Sequence, residues 1–241
     1  MAQSRLAKWL RRAVFVTVLG VCALGVGQAL MHPDTPLPDA WNPTQPFAVA
    51  DDITPLTDWK LRALLATPGA CVEATSKAAD IAPRPPLEAG EQCFIRDRVR
   101  VASVGSADVR DFETTCHIAL KLALWERHVL RPAALEIFGQ DLREIRHFDS
   151  YNCRRIRTSR GVSDRWSTHA TARAVDVSGF VLTDGTLIDL RQHWDDDGDR
   201  GVFLRRAQQG ACDIFGLVLG PEYNALHADH FHIQLDGQGC R

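Results

Sequence analysis

Apolar positions along the chain fall into three regimes. The first is an unbroken run from Ala13 to Met31, AVFVTVLGVCALGVGQALM, with no charged residue. As a helix rising 1.5 Å per residue it spans about 29 Å, close to the hydrocarbon core of a bilayer. The second holds few apolar residues and many prolines, Pro33, Pro36, Pro38, Pro43 and Pro46, and predicts an extended, semi-rigid spacer. The third begins near Leu56 and carries the periodic patterns of a folded domain. Asp58 to Leu65 predicts a short helix. Ala79 to Gly90, with Pro83, Pro85 and Pro86, predicts a loop. Phe94 to Val101 alternates as a strand. Asp111 to Val129 places Ile118, Leu122, Trp125 and Val129 at helical period. A second helix follows from Pro132 to Phe138, closed by Gly139. Strands are predicted over Leu142 to Tyr151 and Arg173 to Val181, the latter pairing with Thr186 to Leu190 across an Asp184-Gly185 turn. Val202 to Phe215 reads as a helix and Phe231 to Leu235 as a last strand. Helices and strands mix without a regular βαβ alternation, which predicts an α+β fold with a mainly antiparallel sheet packed against helices. The expected boundaries are 1–12 for a basic tail, 13–31 for the apolar span, 32–55 for the linker and 56–241 for the domain.

Charge sets the orientation of the span. Arg5, Lys8, Arg11 and Arg12 precede it and no basic residue follows soon after, which predicts a cytoplasmic N-terminus and an exported domain. A cleaved signal peptide is the competing reading, with Gly27-Gln28-Ala29 as a passable cleavage site. Cys22 does not suit a lipoprotein anchor, because Val21 before it is not small. Net charge is −2, and basic residues do not cluster beyond the first dozen positions, so a nucleic-acid binder is not expected. Six cysteines lie outside the apolar run: Cys71, Cys93, Cys116, Cys153, Cys212 and Cys240. An even number in an exported domain predicts three disulfides, and sequential pairing is the expected order. No C-x-x-C occurs, so a cysteine zinc site is not expected.

Candidate chemistry gathers in two segments, Ser167-Thr168-His169-Ala170-Thr171-Ala172-Arg173-Ala174-Val175-Asp176 and His227-Ala228-Asp229-His230-Phe231-His232. A hydrolytic zinc site takes three ligands from histidine and carboxylate and keeps a position open for water. The spacing from His169 to Asp176, with small residues between, suits a loop delivering the histidine and a strand delivering the carboxylate. His230 and His232 share a strand face, so one can bind metal while the other meets substrate.

The pattern S-x-H-x-x-x-x-A-x-D with a terminal H-x-H resembles the zinc peptidase superfamily of lysostaphin, D-Ala-D-Ala peptidases and the hedgehog fold. More closely, the chain resembles the bacterial extensin-like C-terminal domain family. The stretches carrying that likeness are CHIALKLALWE, IRHFDSYNCR, STHATARAVDVSGFVLTDG, GACDIFGLVLGPEYNALHADHFHIQ and the closing Cys240-Arg241. The resemblance covers about Cys71 to Arg241. It implies a hedgehog/D-Ala-D-Ala-peptidase-like fold, Zn2+ as cofactor, and His169, Asp176 and His232 as its ligands. It implies His230 as a catalytic histidine, His227 as a further active-site histidine and Asp229 as the alternative general base. Strand alternation favours His230 as the base. Arg154, after Ser150-Tyr151-Asn152-Cys153, matches an arginine that binds substrate carboxylate or stabilises the oxyanion; Arg155 beside it keeps that choice open. The implied activity is cleavage of murein peptides in the bacterial periplasm by a protein held in the inner membrane through its N-terminal helix. The alternative is a non-catalytic peptidoglycan-binding or accessory protein of an envelope-spanning machine that keeps the fold and metal. One departure stands out. The superfamily usually has glycine three residues after the first histidine, and here it is Ala172, which is costly if that position needs positive φ.

Other features read as structural. Asp195-Asp196-Asp197-Gly198-Asp199 is calcium-like, but its twelfth position is Arg206 rather than glutamate, so it reads as an acidic loop before a helix. His117, His128 and His147 have no partner at ligand spacing. Trp166 and Tyr223 flank the motif segments and either line a groove or pack.

Overall fold

A computed structural model describes residues 2–241. The chain divides into two compact units, Met1–Phe47 with Asp51–Ala63, and Ala48–Ala50 with Leu64–Arg241. In the first, helix α1 (Ala2–Met31) contains a stretch, Ala7–Met31, long and apolar enough to cross a membrane. The proline-rich stretch after it is not extended throughout. Asp39–Trp41 form a single 3-10 turn, and the buried Asn42 donates from Nδ2 to the Leu30 carbonyl at 2.7 Å. Helix α2 (Thr57–Leu65) follows, close to its expected limits.

The second unit is an α+β domain. It begins with α3 (Ala70–Thr75) and continues through β1 (Ala79–Pro83), β2 (Leu87–Gly90), β3 (Cys93–Ile95), β4 (Arg98–Val104) and β5 (Ala107–Thr115). Then come α4 (Cys116–Trp125), a π-helical turn (Glu126–Leu130), α5 (Arg131–Phe138) and β6 (Leu142–His147). A hairpin of β7 (Arg155–Thr158) and β8 (Gly161–Trp166) precedes the long strand β9 (Ala174–Leu182) and its partner β10 (Leu187–Asp189). The chain ends with α6 (Leu190–His193), α7 (Asp199–Ile214), β11 (Leu217–Leu219), β12 (Phe231–Gln234) and β13 (Gly239–Cys240). The main sheet runs β1-β4-β5-β6-β9-β12-β11-β13, with β10 beside β9. It is mixed: β5–β6 and β11–β13 are parallel and the other pairings antiparallel.

Core packing explains the helices. Nearly every residue of α4 is buried, and Trp125 packs edge-on to Phe180 of β9 and Phe215. The Trp125 indole donates to the Ala207 carbonyl at 2.9 Å, which satisfies its one donor and ties α4 to α7. Gly139 closes α5 at φ 64.

Three expectations are corrected. Residues 111–115 are the end of β5, not the start of a helix. Phe112 and Thr114 point inward in strand alternation, and the helix begins only where Thr115 caps it, accepting from the Ile118 N–H at 3.3 Å. Ala79 to Gly90 is not a loop. Ala79–Pro83 pairs with β4 as an edge strand, where Pro83 costs no ladder bond, and Leu87–Gly90 pairs with β3. The sequential disulfide order also fails. The bonds are Cys71–Cys116, Cys93–Cys153 and Cys212–Cys240, so only the last pair was expected. Packing of α3 on α4 brings Cys71 to Cys116.

The three histidines read as structural are held by the fold. His147 accepts the Asp149 N–H at Nδ1 and donates from Nε2 to the Arg110 carbonyl at 2.7 Å. His128 bonds the Val49 carbonyl at 2.8 Å. Burial lowers His117 to about 4, so it is neutral.

Candidate metal centre

The centre is built on the pairing of β9 with β12. Their antiparallel register sets Asp176 directly opposite His232, so the two side chains share one face. His169 comes from the 3-10 turn Thr168–Thr171 that feeds β9. Ser167 caps this turn, accepting the His169 N–H on Oγ at 3.3 Å. The chain then reverses at Ala172, which sits at φ 49, ψ 35 in the left-handed region.

Three donor atoms converge. Asp176 Oδ1 lies 2.9 Å from His232 Nδ1 and 3.2 Å from His169 Nε2, and the two ring nitrogens are 3.1 Å apart. Donors about 2.0–2.1 Å from a tetrahedral zinc ion lie about 3.3 Å from one another, so the triangle has the size such an ion needs.

Outer partners fix which ring nitrogens face inward. His169 Nδ1 donates to the Ser150 carbonyl at 2.8 Å. His232 Nε2 faces Gln234 Oε1 at 3.0 Å. The Gln234 amide nitrogen donates to the Asp236 carbonyl at 2.7 Å and Thr168 Oγ1 donates to Oε1, so that oxygen is an acceptor and His232 Nε2 carries the proton. Rings held this way present His169 Nε2 and His232 Nδ1 toward Asp176. Burial raises the Asp176 carboxyl; the two rings hold it well below the ordinary range only by donating N–H groups to it, and where their protons point outward a cation must take that place. A carboxylate oxygen and two ring lone pairs this close repel one another unless a cation lies between them. The donor set therefore fits a divalent metal of the zinc type.

His230 stands beside the triangle with Nε2 3.7 Å from Asp176 Oδ1. Its Nδ1–H donates to Asp229 Oδ1 at 2.8 Å, and its ring meets Phe148 edge-on. Asp229 also accepts from Arg191 Nη2 at 2.6 Å. Burial raises the Asp229 carboxyl, but the bonds from His230 and Arg191 outweigh it and hold the group below its ordinary value. His227 donates from Nδ1 to Asn224 Oδ1 at 2.8 Å. Burial, then the neighbouring His230 and His232, lower His227 to about 4, so it is neutral at pH 7.

A groove of roughly 620 Å3 opens over the centre. Trp166 and Tyr223 line it, as does Arg154. Arg155 is engaged elsewhere, its guanidinium 5.1 Å from the Trp166 ring centroid and donating to the Asp164 carbonyl. Of the residues singled out from the sequence, Arg154, Asp176, His227, His230 and His232 line this groove, His169 is buried at the centre, and Asp229 lies behind His230 and lines a neighbouring pocket. Three contributors were not foreseen. Gln234 had a legible signal, since it lies two residues beyond His232 on the same face of β12. The Ser150 carbonyl and Arg191 had none, because only tertiary folding brings them here.

Ala172 carries the strain that the glycine-to-alanine departure predicted. Its methyl is fully buried and its carbonyl accepts from Thr114 Oγ1 at 3.1 Å and from Thr115 Oγ1 at 3.3 Å. Ala172→Gly relieves the left-handed alanine, worth about 1–2 kcal/mol, but loses a buried methyl worth about 0.8 kcal/mol and adds freedom to the unfolded chain. Urea unfolding should find Ala172→Gly within about 1 kcal/mol of the parent. Ala172→Val, branched and overpacked in the same conformation, should lose roughly 2–3 kcal/mol.

Fold and site together define a mixed α+β domain with a histidine–aspartate–histidine centre on the floor of a groove. Residues 69–241 match the family model described as Extensin-like protein C-terminus, and the chain belongs to that family. No curated protein and no solved structure matches the chain.

Proposed function

We propose that the protein is a zinc-dependent peptidase of peptidoglycan, anchored by α1 in the inner membrane with its domain in the periplasm. The observation that carries this reading is the triangle of His169 Nε2, Asp176 Oδ1 and His232 Nδ1 beside His230 Nε2. Those three atoms would hold the ion. When bound, zinc supplies a Lewis acid for the scissile carbonyl and lowers the pKa of a water toward about 7.

The remaining roles follow from hydrogen bonding. His230, with Nδ1–H tied to Asp229, offers Nε2 toward the centre and is the group to take a proton and return it to the leaving amine. Asp229 is committed to His230 and Arg191, so it orients the ring rather than acting as the base. His227 is neutral, with its tautomer set by Asn224, and can accept a hydrogen bond from substrate through Nε2. Arg154 lines the groove and suits a substrate carboxylate or the developing oxyanion.

Three further points favour this substrate. The motif spacing resembles that of the lysostaphin and D-Ala-D-Ala peptidase superfamily. Three disulfides and an N-terminal apolar helix suit an exported domain. The abundant peptide of the periplasm is the murein cross-link. The test is mass spectrometry of muropeptides incubated with full-length, zinc-loaded protein. Cross-linked dimers should be cut, the products should vanish on chelation, and zinc should restore them. Zinc-loaded protein that leaves both D,D- and L,D-linked substrates intact would refute the peptidase. A non-catalytic accessory of an envelope-spanning machine would then be the better reading.

A further inference from the structure

The β7–β8 hairpin forms one wall of the groove and contributes two arginines to its lining. Arg157 and Arg165 line the groove together with Arg154 just before the hairpin. The hairpin's one carboxylate, Asp164, is not among the lining residues. Asp176 is the sole acidic residue of the lining, and it faces the two histidines of the centre. Among the described residues, neither Arg157 nor Arg165 has an ion-pair partner. The groove therefore offers guanidinium charge that the protein itself does not neutralise.

The hairpin is also anchored at its base. Cys153 is bonded to Cys93, the Ser167 N–H donates to the Arg154 carbonyl at 3.0 Å, and Arg155 lies over Trp166. Arg155 and Trp166 are cross-strand partners, so that stacking braces the two strands against each other. An anchored wall fixes the backbone from which the arginines reach, so binding need not also order the hairpin. Guanidinium groups pair with carboxylates in forked geometry, and they do so most strongly where water is partly excluded.

We propose that the groove face of this hairpin is a subsite for a carboxylate-bearing stretch of the substrate peptide, read by Arg157 and Arg165 and distinct from the metal centre. The proposal rests on the peptidase reading for the identity of the peptide. It narrows the substrate class to peptides with free carboxylates away from the bond at the centre. Murein stems fit this chemistry, because a γ-linked D-glutamyl residue and a diaminopimelyl residue each leave a carboxylate free.

The probes are the synthetic stem peptide L-Ala-γ-D-Glu-meso-diaminopimelyl-D-Ala and its analogue with both of those carboxylates amidated. Binding is measured by calorimetry to full-length, zinc-loaded protein carrying His230→Ala, so that turnover does not interfere. The acidic peptide should bind at least about tenfold more tightly than the amidated one. Adding Arg157→Gln and Arg165→Gln should abolish that preference and leave the amidated peptide's affinity unchanged. Equal affinity for both peptides, binding of neither, or an equal loss for both in the arginine variants overturns the subsite. The parent protein separates the two readings. If it cuts murein but treats free and amidated peptides alike, the subsite fails alone. If it prefers the acidic peptide yet cuts nothing, the peptidase fails alone.

Discussion

Protein carrying His169→Ala is expected to purify with almost no zinc, as the proposed centre requires. The parent should hold about one zinc ion per chain, and the variant close to none by atomic absorption. His169 supplies one corner of the triangle, and the remaining pair, Asp176 Oδ1 and His232 Nδ1, leaves too few ligands for a stable site. Loss of an outer partner of a zinc ligand lowers affinity about 10–100-fold, so loss of a ligand itself should exceed about 100-fold. Muropeptide cleavage should fall to background with the metal. The fold should survive, because three disulfides and a core centred on Trp125, Phe180 and Phe203 do not pass through the site. Far-ultraviolet circular dichroism checks that. A variant retaining full zinc with a native spectrum would remove His169 from the ligand set.

His230→Ala should separate metal from chemistry. Its Nε2 is 3.7 Å from Asp176 Oδ1, near the centre but outside the tight triangle. Zinc content should stay near that of the parent. Turnover should drop by roughly 10²–10⁴, the contribution of a positioned acid–base group, with a much smaller change in KM. Asp229→Asn should lie between the parent and His230→Ala, because the amide oxygen can still accept from Nδ1 but the negative charge that supports the ring on taking a proton is lost, while Nε2 stays in place. If Asp229→Asn were the more damaging change with His230→Ala mild, the base would be Asp229 and the roles would have to be exchanged.

The sequence made the site more legible than the fold. Ligand geometry here depends on local periodicities. Residues two apart on a strand share a face, which groups His232 with Gln234, while His230 precedes the strand and still reaches the centre. A short turn before a strand separates His169 from Asp176. Such rules act within a few residues and survive the absence of any tertiary information. Elements whose identity depends on partners were misread. Asp111 to Thr115 continues smoothly into a helical pattern, and only pairing with β4 makes it a strand. Pro83 and its neighbours look like loop until β4 is there to receive an edge strand. Disulfide order depends on which helix packs on which, so Cys71 meeting Cys116 was beyond any local rule. Arg191 reached Asp229 for the same reason, from a helix whose own sequence says nothing about the groove.

The opposition of Asp176 and His232 across β9 and β12 bears on heredity as well as geometry. A slip of one residue in that register would set Asp176 against Phe231 or Ile233 and turn the whole face over. No gradual displacement of one strand past the other keeps the three donors together. Lineages that descend from this chain should tolerate insertions at hairpin tips and in the acidic turn before α7. Within the β9–β12 pairing, a one-residue insertion or deletion not absorbed as a bulge would part Asp176 from His232 in one step. The centre is thus inherited, or lost, as a block.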